Sequence, residues 1–426
     1  MKVLIITYYW PPAGGSGVQR WLKFVKYLPQ FGVTPVVFTP QNANYPILDE
    51  TLQQEVAPDI EVLKIPIKEP NSFLSFFSKK KNKESAGFLD PNPSFFGKMA
   101  QYIRANYFIP DARKFWIKPS VKFLSKYLVN NKIDVVITTG PPHSLHLIGL
   151  QLKELHHVKW IADFRDPWTE IDYFHQLPLT ENAKNKHEQL EKEVLEKADV
   201  VLVVGKEMQK SFSKFSKNVK VITNGFDNEV IEDIAIEVDK SFSLVHIGMM
   251  NADRNPIHLW KALKEIIDNN EDFASKFHLK LIGKIADEVE QSLKENELWQ
   301  YTQVISYLPH NEVLTYQKRA QVLLLPVNNV PSAKAIITGK VFEYLQAKRP
   351  ILAIAPPDGD LADIIHTTNS GVVVDFNNEQ SLKKAILELY NSYILGNLKV
   401  DSTDIDQYHR KSLTKKLSTI IKELNS

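Results

Sequence analysis

Short runs of Val, Ile and Leu recur along the whole chain and alternate with stretches that have helical periodicity. One series lies at residues 1–9, 35–38, 133–138, 158–163, 200–204 and 219–222, and a second lies at 244–247, 279–282, 322–325, 351–354 and 372–374. Runs of this composition are typical of parallel strands that are buried on both faces. The pattern therefore predicts an α/β chain with two doubly wound, Rossmann-like domains, in which ligands bind at the carboxyl ends of the strands.

The length of 426 residues exceeds what one hydrophobic core serves, which also favours two domains. We place an N-terminal domain at 1–228 and a linker at 229–240, where the pattern breaks into a polar, acidic stretch. A C-terminal domain follows at 241–400 and a final helix at 401–426. The apolar stripe of that helix leaves open which domain it packs on.

The composition excludes several kinds of chemistry. The chain has no cysteine, which rules out disulfides, a thiolate nucleophile and cysteine-ligated zinc, and which fits a cytoplasmic protein. No apolar stretch is long enough to span a membrane, and we expect no signal peptide before the first strand. We therefore expect a cytoplasmic location.

A glycine-rich turn separates the first strand from an amphipathic stretch at 18–24. Gly15 and Gly17 allow a ligand to approach backbone N–H groups at a helix N-terminus, where anions are favoured. Arg20 stands where a dinucleotide site needs its third glycine, and the second strand ends in Thr39 instead of an acidic residue. NAD is thus disfavoured, whereas a phosphate-binding or sugar-binding turn and a purely structural turn remain open.

Residues 71–126 combine positive charge with aromatic side chains. This segment holds eleven Lys or Arg residues against three acidic ones, together with twelve Phe, Tyr or Trp residues. Such a composition suits an anionic membrane surface, or an acceptor with a phosphate and an apolar tail. An ordinary insertion whose aromatic residues are core remains the alternative. No nucleic-acid motif accompanies the charge, so we expect no nucleic-acid partner.

Several motifs carry a resemblance to a known family. YYWPPAGGSGVQR near the N-terminus, TTGPPHSLHLIG at 138–149, WIADFRDPW at 160–168 and TGKVFEYLQAKRPIL at 338–352 occur in the order and spacing of family 4 glycosyltransferases. The chain resembles these enzymes, which use nucleotide-sugar donors. The resemblance implies the GT-B architecture, in which two Rossmann-like domains face a central cleft. It also implies retention of configuration at the transferred sugar.

The last of these motifs also suits a donor site on physical grounds. Gly339 precedes a helix, Lys340 lies in its first turn, and Glu343 follows three residues later on nearly the same face. A helix N-terminus with an ammonium group suits a diphosphate, and a carboxylate can accept two hydrogen bonds from a ribose diol. The resemblance adds Arg254 on the diphosphate and Tyr307 near the base. An i,i+3 ion pair on a capped surface helix is the structural alternative.

The chain also departs from the family pattern. Ala335 stands where many members carry a glutamate near the transferred sugar, and Met249 stands in the region of a usual arginine. By resemblance, Gly15 and Gly17 face the phosphate or the transferred sugar of the donor. Such enzymes neutralise the leaving diphosphate with helix dipoles and basic side chains, so we expect no metal and no other cofactor.

Candidate catalytic residues follow two strands of the first domain. His143 comes after a strand and a Pro-Pro turn and is a candidate for contact with the sugar, with His146 as the alternative. Asp163 and Asp166 are candidates for orienting acceptor hydroxyls or acting as a base, and Arg165 lies on the acceptor side. An Arg–Asp pair that only holds the loop remains the structural alternative.

These observations predict a glycosyltransferase that moves a sugar from a nucleotide-diphosphate sugar to a hydroxyl of a glycan or lipid-linked acceptor. We expect a role in cell-surface polysaccharide or glycolipid assembly and a peripheral position on the inner face of the cell membrane. Two alternatives remain open: a non-catalytic sugar-nucleotide-binding or scaffold protein, and a nucleotide-sugar epimerase of the same fold.

Overall fold

The computed structural model describes residues 1–69, 95–171, 174–227, 236–306, 308 and 310–425. The chain divides into two compact units, one made of residues 1–224 with 410–426 and the other of residues 225–409. The division thus lies slightly before the predicted linker at 229–240, most of which falls outside the described residues. The C-terminal helix, Arg410–Asn425, belongs to the first unit.

The first unit is a seven-stranded parallel sheet with helices on both faces, in the strand order β3-β2-β1-β4-β5-β6-β7. Its elements in chain order are β1 (Lys2–Ile6), α1 (Ser16–Tyr27), β2 (Thr34–Pro40), β3 (Glu61–Ile65), α2 (Phe95–Tyr107), α3 (Lys114–Asn130), β4 (Val135–Gly140), α4 (Ser144–His156), β5 (Lys159–Phe164), α5 (Glu181–Lys197), β6 (Val200–Val203), α6 (Lys206–Phe212) and β7 (Val219–Val221).

The two faces of this sheet belong to two hydrophobic clusters because successive strand side chains point to opposite sides. In β1, Leu4 packs in one cluster with helices α3 and α4, while Val3 packs in the other with α1. The C-terminal helix buries Leu413 and Leu417 in the cluster that contains α1. The apolar stripe of that helix is therefore buried against the first unit.

A buried ion pair joins α1 to β5. The guanidinium of Arg20 contacts both carboxylate oxygens of Asp163, at 2.8 Å and 3.2 Å, and both side chains are almost inaccessible to solvent. Trp21 and Thr139 donate further hydrogen bonds to the same carboxylate. Burial alone would raise the pKa of Asp163, but Arg20 and these donors outweigh it and leave the pKa below its usual value. Arg20 also donates to the carbonyl of Thr223, close to the end of the unit.

The second unit is a six-stranded parallel sheet in the order β10-β9-β8-β11-β12-β13. Its elements in chain order are β8 (Phe242–Ile247), α7 (Ile257–Asn269), α8 (Glu271–Lys276), β9 (Phe277–Ile282), α9 (Asp287–Glu295), β10 (Thr302–Ile305), α10 (His310–Arg319), β11 (Val322–Pro326), α11 (Lys340–Ala347), β12 (Ile351–Ile354), α12 (Asp360–Thr367), β13 (Gly371–Val374) and α13 (Glu379–Ile394).

Each sheet has one point at which the winding direction reverses. This switch point lies between β1 and β4 in the first unit and between β8 and β11 in the second. Loops on either side of a switch point diverge and leave a crevice at the carboxyl edge of the sheet. The prediction of two Rossmann-like, doubly wound domains is confirmed. Among the described residues, none of the helices has the length and apolar character to cross a membrane.

Candidate functional site

Polar side chains gather at the switch point of the second sheet. Strand β8 leads into Gly248 and Met249, and β11 leads into Val327 and Asn328. Helix α11, which follows β11, begins at Lys340. Parallel strands place these loops and the helix N-terminus at one edge of the sheet, where a ligand would bind.

Lys340 lies directly over the backbone of Gly248. A Cβ atom built on Gly248 would lie 2.1 Å from Cε and 2.7 Å from Nζ of the lysine. Gly248 has a φ of +118°, and Gly283, with a φ of +122°, lies close enough that its own Cβ would meet the carbonyl oxygen of Gly248 at 2.6 Å. Only glycine suits both positions, so the two glycines make the space that the lysine occupies.

The ammonium group of Lys340 is mostly buried beside a second cation. Burial and the charge of Arg254 lower its pKa to about 8, although Glu343 acts in the opposite direction. The group therefore stays mainly protonated at neutral pH and loses its charge in mildly basic solution. A partly desolvated cation pair at a helix N-terminus is suited to bind a polyanion.

Arg254 ties together the two loops at the switch point. Its NH1 donates to the carbonyl oxygen of Met249 at 3.0 Å, and its Nε donates to Oδ1 of Asn328 at 3.1 Å. These bonds fix the guanidinium between the β8 and β11 loops. The structure thus brings Arg254 close enough to Lys340 to lower its pKa, and the binding of a diphosphate by the two residues stays a prediction.

His246, at the end of β8, is a neighbour of these cations that we did not single out from the sequence. Its Nδ1 lies 3.1 Å from the carbonyl oxygen of Leu324, and its Nε2 is buried with no hydrogen-bond partner among the described residues. Burial, Lys340 and Arg254 lower its pKa to about 3, so the imidazole is neutral. It sits inside an apolar strand run, and no sequence pattern distinguished it from a core residue.

Glu343 lies one turn along α11 from Lys340. Its Oε2 accepts a hydrogen bond of 3.1 Å from Nε2 of Gln317, and the carboxylate is half-buried. Ala335 lies in a short 3-10 turn, Ala333–Ala335, before this helix. The predicted base-side residue, Tyr307, lies outside the described residues.

In the first unit, the glycine loop follows β1 at the switch point. Gly15 has a φ of +85° and precedes α1, whose N-terminus has no side-chain cap and no acidic residue in its first turn. The N–H of Gly14 donates to the carbonyl oxygen of Ile47 at 2.9 Å. The carbonyl oxygen of Gly17 accepts from Arg165 at 2.7 Å. The loop is therefore held on both sides, and its N–H groups lie at the positive end of the α1 dipole.

His143 follows β4, on the other side of the same switch point. Its ring stacks on that of Trp168, with centroids 4.9 Å apart, and it is 8% exposed. Its Nδ1 is buried without a partner among the described residues. Burial, His146 and Arg165 lower the pKa of His143 well below its usual value, so the imidazole is neutral. His146 is fully buried, with Nδ1 2.9 Å from Oγ1 of Thr138.

The three remaining candidates lie at the end of β5 and directly after it, and they have different environments. Asp163 is fully buried in its pair with Arg20, so the geometry favours the structural alternative over a catalytic role. Arg165 donates to the carbonyl oxygens of Gly17, Gly140 and Pro141, which makes it a clasp between the β1 and β4 loops. Asp166 is exposed.

Among the described residues, no three His, Asp or Glu side chains are placed together to hold a metal ion.

The second unit resembles a known protein family in sequence. Residues 241–392, which make up most of the second unit, match the family model described as glycosyl transferases group 1. The second unit is a group 1 glycosyltransferase domain. The cation pair and Glu343 both lie within the matched residues.

An uncharacterized glycosyltransferase of Methanocaldococcus jannaschii is 24% identical to this chain over 198 residues. The alignment covers 46% of this chain and 50% of the relative, so the chain matches about half of that relative's length. The sequence-based recognition of a glycosyltransferase is confirmed at the level of the group 1 domain. Membership of family 4 itself stays a prediction.

Solved structures resemble the chain over its full length. The sucrose-phosphate synthase of Thermosynechococcus elongatus has a TM-score of 0.63 at 14% identity, covering 99% of this chain and 98% of that one. The lipopolysaccharide outer core galactosyltransferase WaaB has a TM-score of 0.57 at 12% identity, covering 99% of each chain. At these identities the likeness shows the fold, and the GT-B class predicted from the sequence is confirmed.

The same fold occurs in the UDP-GlcNAc 2-epimerase of Methanocaldococcus jannaschii. Its TM-score is 0.51 at 14% identity, covering 99% of this chain and 100% of that one. The fold alone therefore does not distinguish a transferase from an epimerase. The two functions are distinguished by the residues of the group 1 domain and by the surface of the first unit.

The lowered pKa of Lys340 gives the group 1 domain a testable pH dependence. Lys340 carries its charge below about pH 8 and loses it above. Affinity for a nucleoside diphosphate should therefore fall by up to about tenfold between pH 7 and pH 9. Isothermal titration with UDP, ADP and GDP, continued with the tightest binder, measures the trend.

Lys340→Met should bind weakly at every pH, whereas Lys384→Met, at an exposed lysine of α13, should keep the wild-type profile. An unchanged pH profile in Lys340→Met would contradict the assignment.

Proposed function

We propose that this protein is a glycosyltransferase that moves a sugar from a nucleotide-diphosphate sugar to a hydroxyl acceptor. The observation that carries the proposal is the arrangement of Lys340, Arg254 and Glu343 at the carboxyl edge of a group 1 glycosyltransferase domain. Two partly buried cations and a carboxylate one helical turn away match the two polar parts of a nucleoside diphosphate.

The cations bind the diphosphate and the carboxylate binds the ribose. Lys340 and Arg254 face the phosphate oxygens at the N-terminus of α11, where the helix dipole adds to their charge. Both charges stabilise the diphosphate as it departs, so the proposed reaction needs no metal ion and no other cofactor. His246 stays neutral and adds no third positive charge to repel the other two.

The first unit supplies the acceptor side. His143 lies at the edge of the sheet, and its ring stacks on Trp168. Because its imidazole is already neutral, it can accept a hydrogen bond from a sugar hydroxyl without first losing a proton. Asp166 is exposed on the loop after β5 and is the carboxylate of that loop which remains a candidate for the acceptor. By resemblance to family 4 enzymes, the configuration at the anomeric carbon is retained and the departing phosphate helps to take the acceptor proton.

An epimerase and a non-catalytic binding protein are the rival functions. An epimerase needs no acceptor, yet helices α2 and α3 of the first unit expose a basic and apolar surface that an acceptor or a membrane would explain. A scaffold is favoured by Ala335 in place of the family glutamate. Turnover with and without an acceptor distinguishes all three.

The exposed surface of α2 further supports a peripheral position on the inner face of the cell membrane, with a glycan or lipid-linked acceptor of cell-surface assembly. Met99, Ile103 and Tyr107 form one stripe at i, i+4 and i+8, and each is at least 41% exposed. Lys98 and Arg104 lie beside the stripe, and residues 95–110 contain no acidic side chain. Exposed apolar residues flanked by unopposed positive charge suit an anionic lipid surface. Residues 70–94 of the basic aromatic segment lie outside the described residues.

Donor turnover tests the proposed activity. A thermal-shift screen of nucleotides and nucleotide sugars first identifies the donor, because a ligand that binds the native state raises the melting temperature. Release of the nucleoside diphosphate is then measured for wild type and Glu343→Ala, with and without glycolipid acceptors. We expect release to fall at least tenfold in Glu343→Ala, since a carboxylate that accepts two hydrogen bonds is lost. Equal and negligible release in both proteins would contradict the enzyme assignment. Conversion of the donor to an epimer without acceptor would favour the epimerase.

Vesicle sedimentation tests the membrane position. We expect binding to vesicles of phosphatidylcholine with phosphatidylglycerol and little binding to phosphatidylcholine alone, with the bound fraction falling as salt is added. The pair Lys98→Glu and Arg104→Glu should weaken the binding about tenfold or more. The matched pair Lys184→Glu and Lys192→Glu, at exposed positions of α5, should bind as wild type does. Equal binding of all three proteins, or equal binding to both vesicles, would refute this surface.

A further inference from the structure

Helix α10 places an amide side chain against the proposed ribose carboxylate. Gln317 lies in this helix, is 1% exposed, and donates through Nε2 to Oε2 of Glu343 at 3.1 Å. Among the described residues, the carboxylate has no other hydrogen-bond partner. The orientation of Glu343 thus depends on this one contact.

The buried amide of Gln317 is paired at one end only among the described residues. Its Oε1 is inaccessible to solvent and has no partner among the described residues. Burying an amide with one end unpaired is unfavourable, and a methionine or leucine would fill the same space without that loss. Buried polar groups that lack a partner are exceptions that call for an explanation in function.

We propose that Gln317 is a positioning residue that sets the ribose specificity of the donor site. The proposal rests on the proposed function of Glu343 as the ribose ligand. Gln317 holds Oε2 of Glu343 and fixes the carboxylate plane, so that the second oxygen and the remaining lone pairs accept from the ribose hydroxyls.

The amide of Gln317 is uncharged, which suits it to orient the carboxylate of Glu343. A lysine or arginine at position 317 would form a strong ion pair with Glu343 and compete with the weaker hydroxyl donors of a ribose. An amide orients the carboxylate and leaves its full negative charge for the ligand. A site built in this way discriminates against a ligand that lacks the hydroxyl, because the half-buried carboxylate then loses a hydrogen-bond donor.

The readout is the preference for a ribonucleotide over its 2′-deoxy analogue. Dissociation constants for UDP and dUDP, ADP and dADP, or GDP and dGDP are measured by isothermal titration, with the pair chosen by the base that the wild type binds most tightly. The measured ratio is the affinity for the ribonucleotide divided by that for the deoxynucleotide. Gln317→Met keeps the volume of the side chain and removes its donor.

We expect Gln317→Met to lower this ratio about fivefold, by weakening ribonucleotide binding and leaving deoxynucleotide binding nearly unchanged. Glu343→Ala should bring the ratio close to one. In the Glu343→Ala background, Gln317→Met should have no further effect, since it acts through the carboxylate. Gln346→Met is the matched control, because Gln346 lies in α11 but donates to the carbonyl oxygen of Asp227. Its ratio should equal that of the wild type.

The outcomes separate the two levels of the proposal. A wild type with no ribose preference, or a Glu343→Ala variant that keeps it, would overturn the ribose role of Glu343 itself. A collapse of the ratio in Glu343→Ala together with an unchanged ratio in Gln317→Met would overturn the role of Gln317 alone. An equal loss of both affinities in Gln317→Met, still present in the Glu343→Ala background, would show a structural role and would also overturn it.

Discussion

The approach of Lys340 to the backbone of Gly248 is the contact on which the second unit's site depends. The lysine side chain occupies the volume that a Cβ at position 248 would need, and Gly248 in turn packs against Gly283. Both glycines have φ values that other residues rarely adopt. The result is an ammonium group that is desolvated before any ligand arrives. Part of the cost of removing water from this group has therefore been met by folding, which favours tight binding of an anion.

A buried ion pair and side-chain hydrogen bonds to carbonyl groups hold the loops at the edge of the first sheet. Arg20 and Asp163 are both buried, and each satisfies the other, so removing either one would leave an uncompensated charge in the interior. The pair locks α1, and with it the glycine loop, to β5. Arg165 then joins that loop to the β4 loop through three carbonyl groups. Asp163, a catalytic candidate from the sequence, and Arg165, an acceptor-side candidate, thus hold the loops at the edge where His143 lies.

Hydrophobic periodicity was sufficient to predict most of the fold. The Val-rich and Ile-rich runs match central strands to within a few residues, because strands buried on both faces need continuous apolar sequence. The strands β3 (Glu61–Ile65) and β10 (Thr302–Ile305) were missed. Both lie at sheet edges and keep exposed residues, so their sequences carry no comparable signal.

The candidate site was predictable only where one segment contains it. Lys340 and Glu343 lie a single turn apart in one helix, so their spacing was enough to pair them. The partners of Asp163 and Glu343 come from other elements, Arg20 from α1 and Gln317 from α10, and such pairs depend on tertiary packing that spacing does not encode. His246 was missed for the same reason, since the two cations that lower its pKa, Lys340 and Arg254, come from separate elements of the chain.

The central claim is that the second unit binds a nucleoside diphosphate through a lysine held over a glycine. The most direct test is isothermal titration of Gly248→Ala with the tightest binder among UDP, ADP and GDP. Gly396→Ala is the matched control, because Gly396 also has a positive φ, of +68°, but has open space around it. We predict that Gly248→Ala folds, with a melting temperature below that of the control because of its strained φ, and binds at least tenfold more weakly because its Cβ displaces Lys340. A folded Gly248→Ala protein with wild-type affinity would contradict the account.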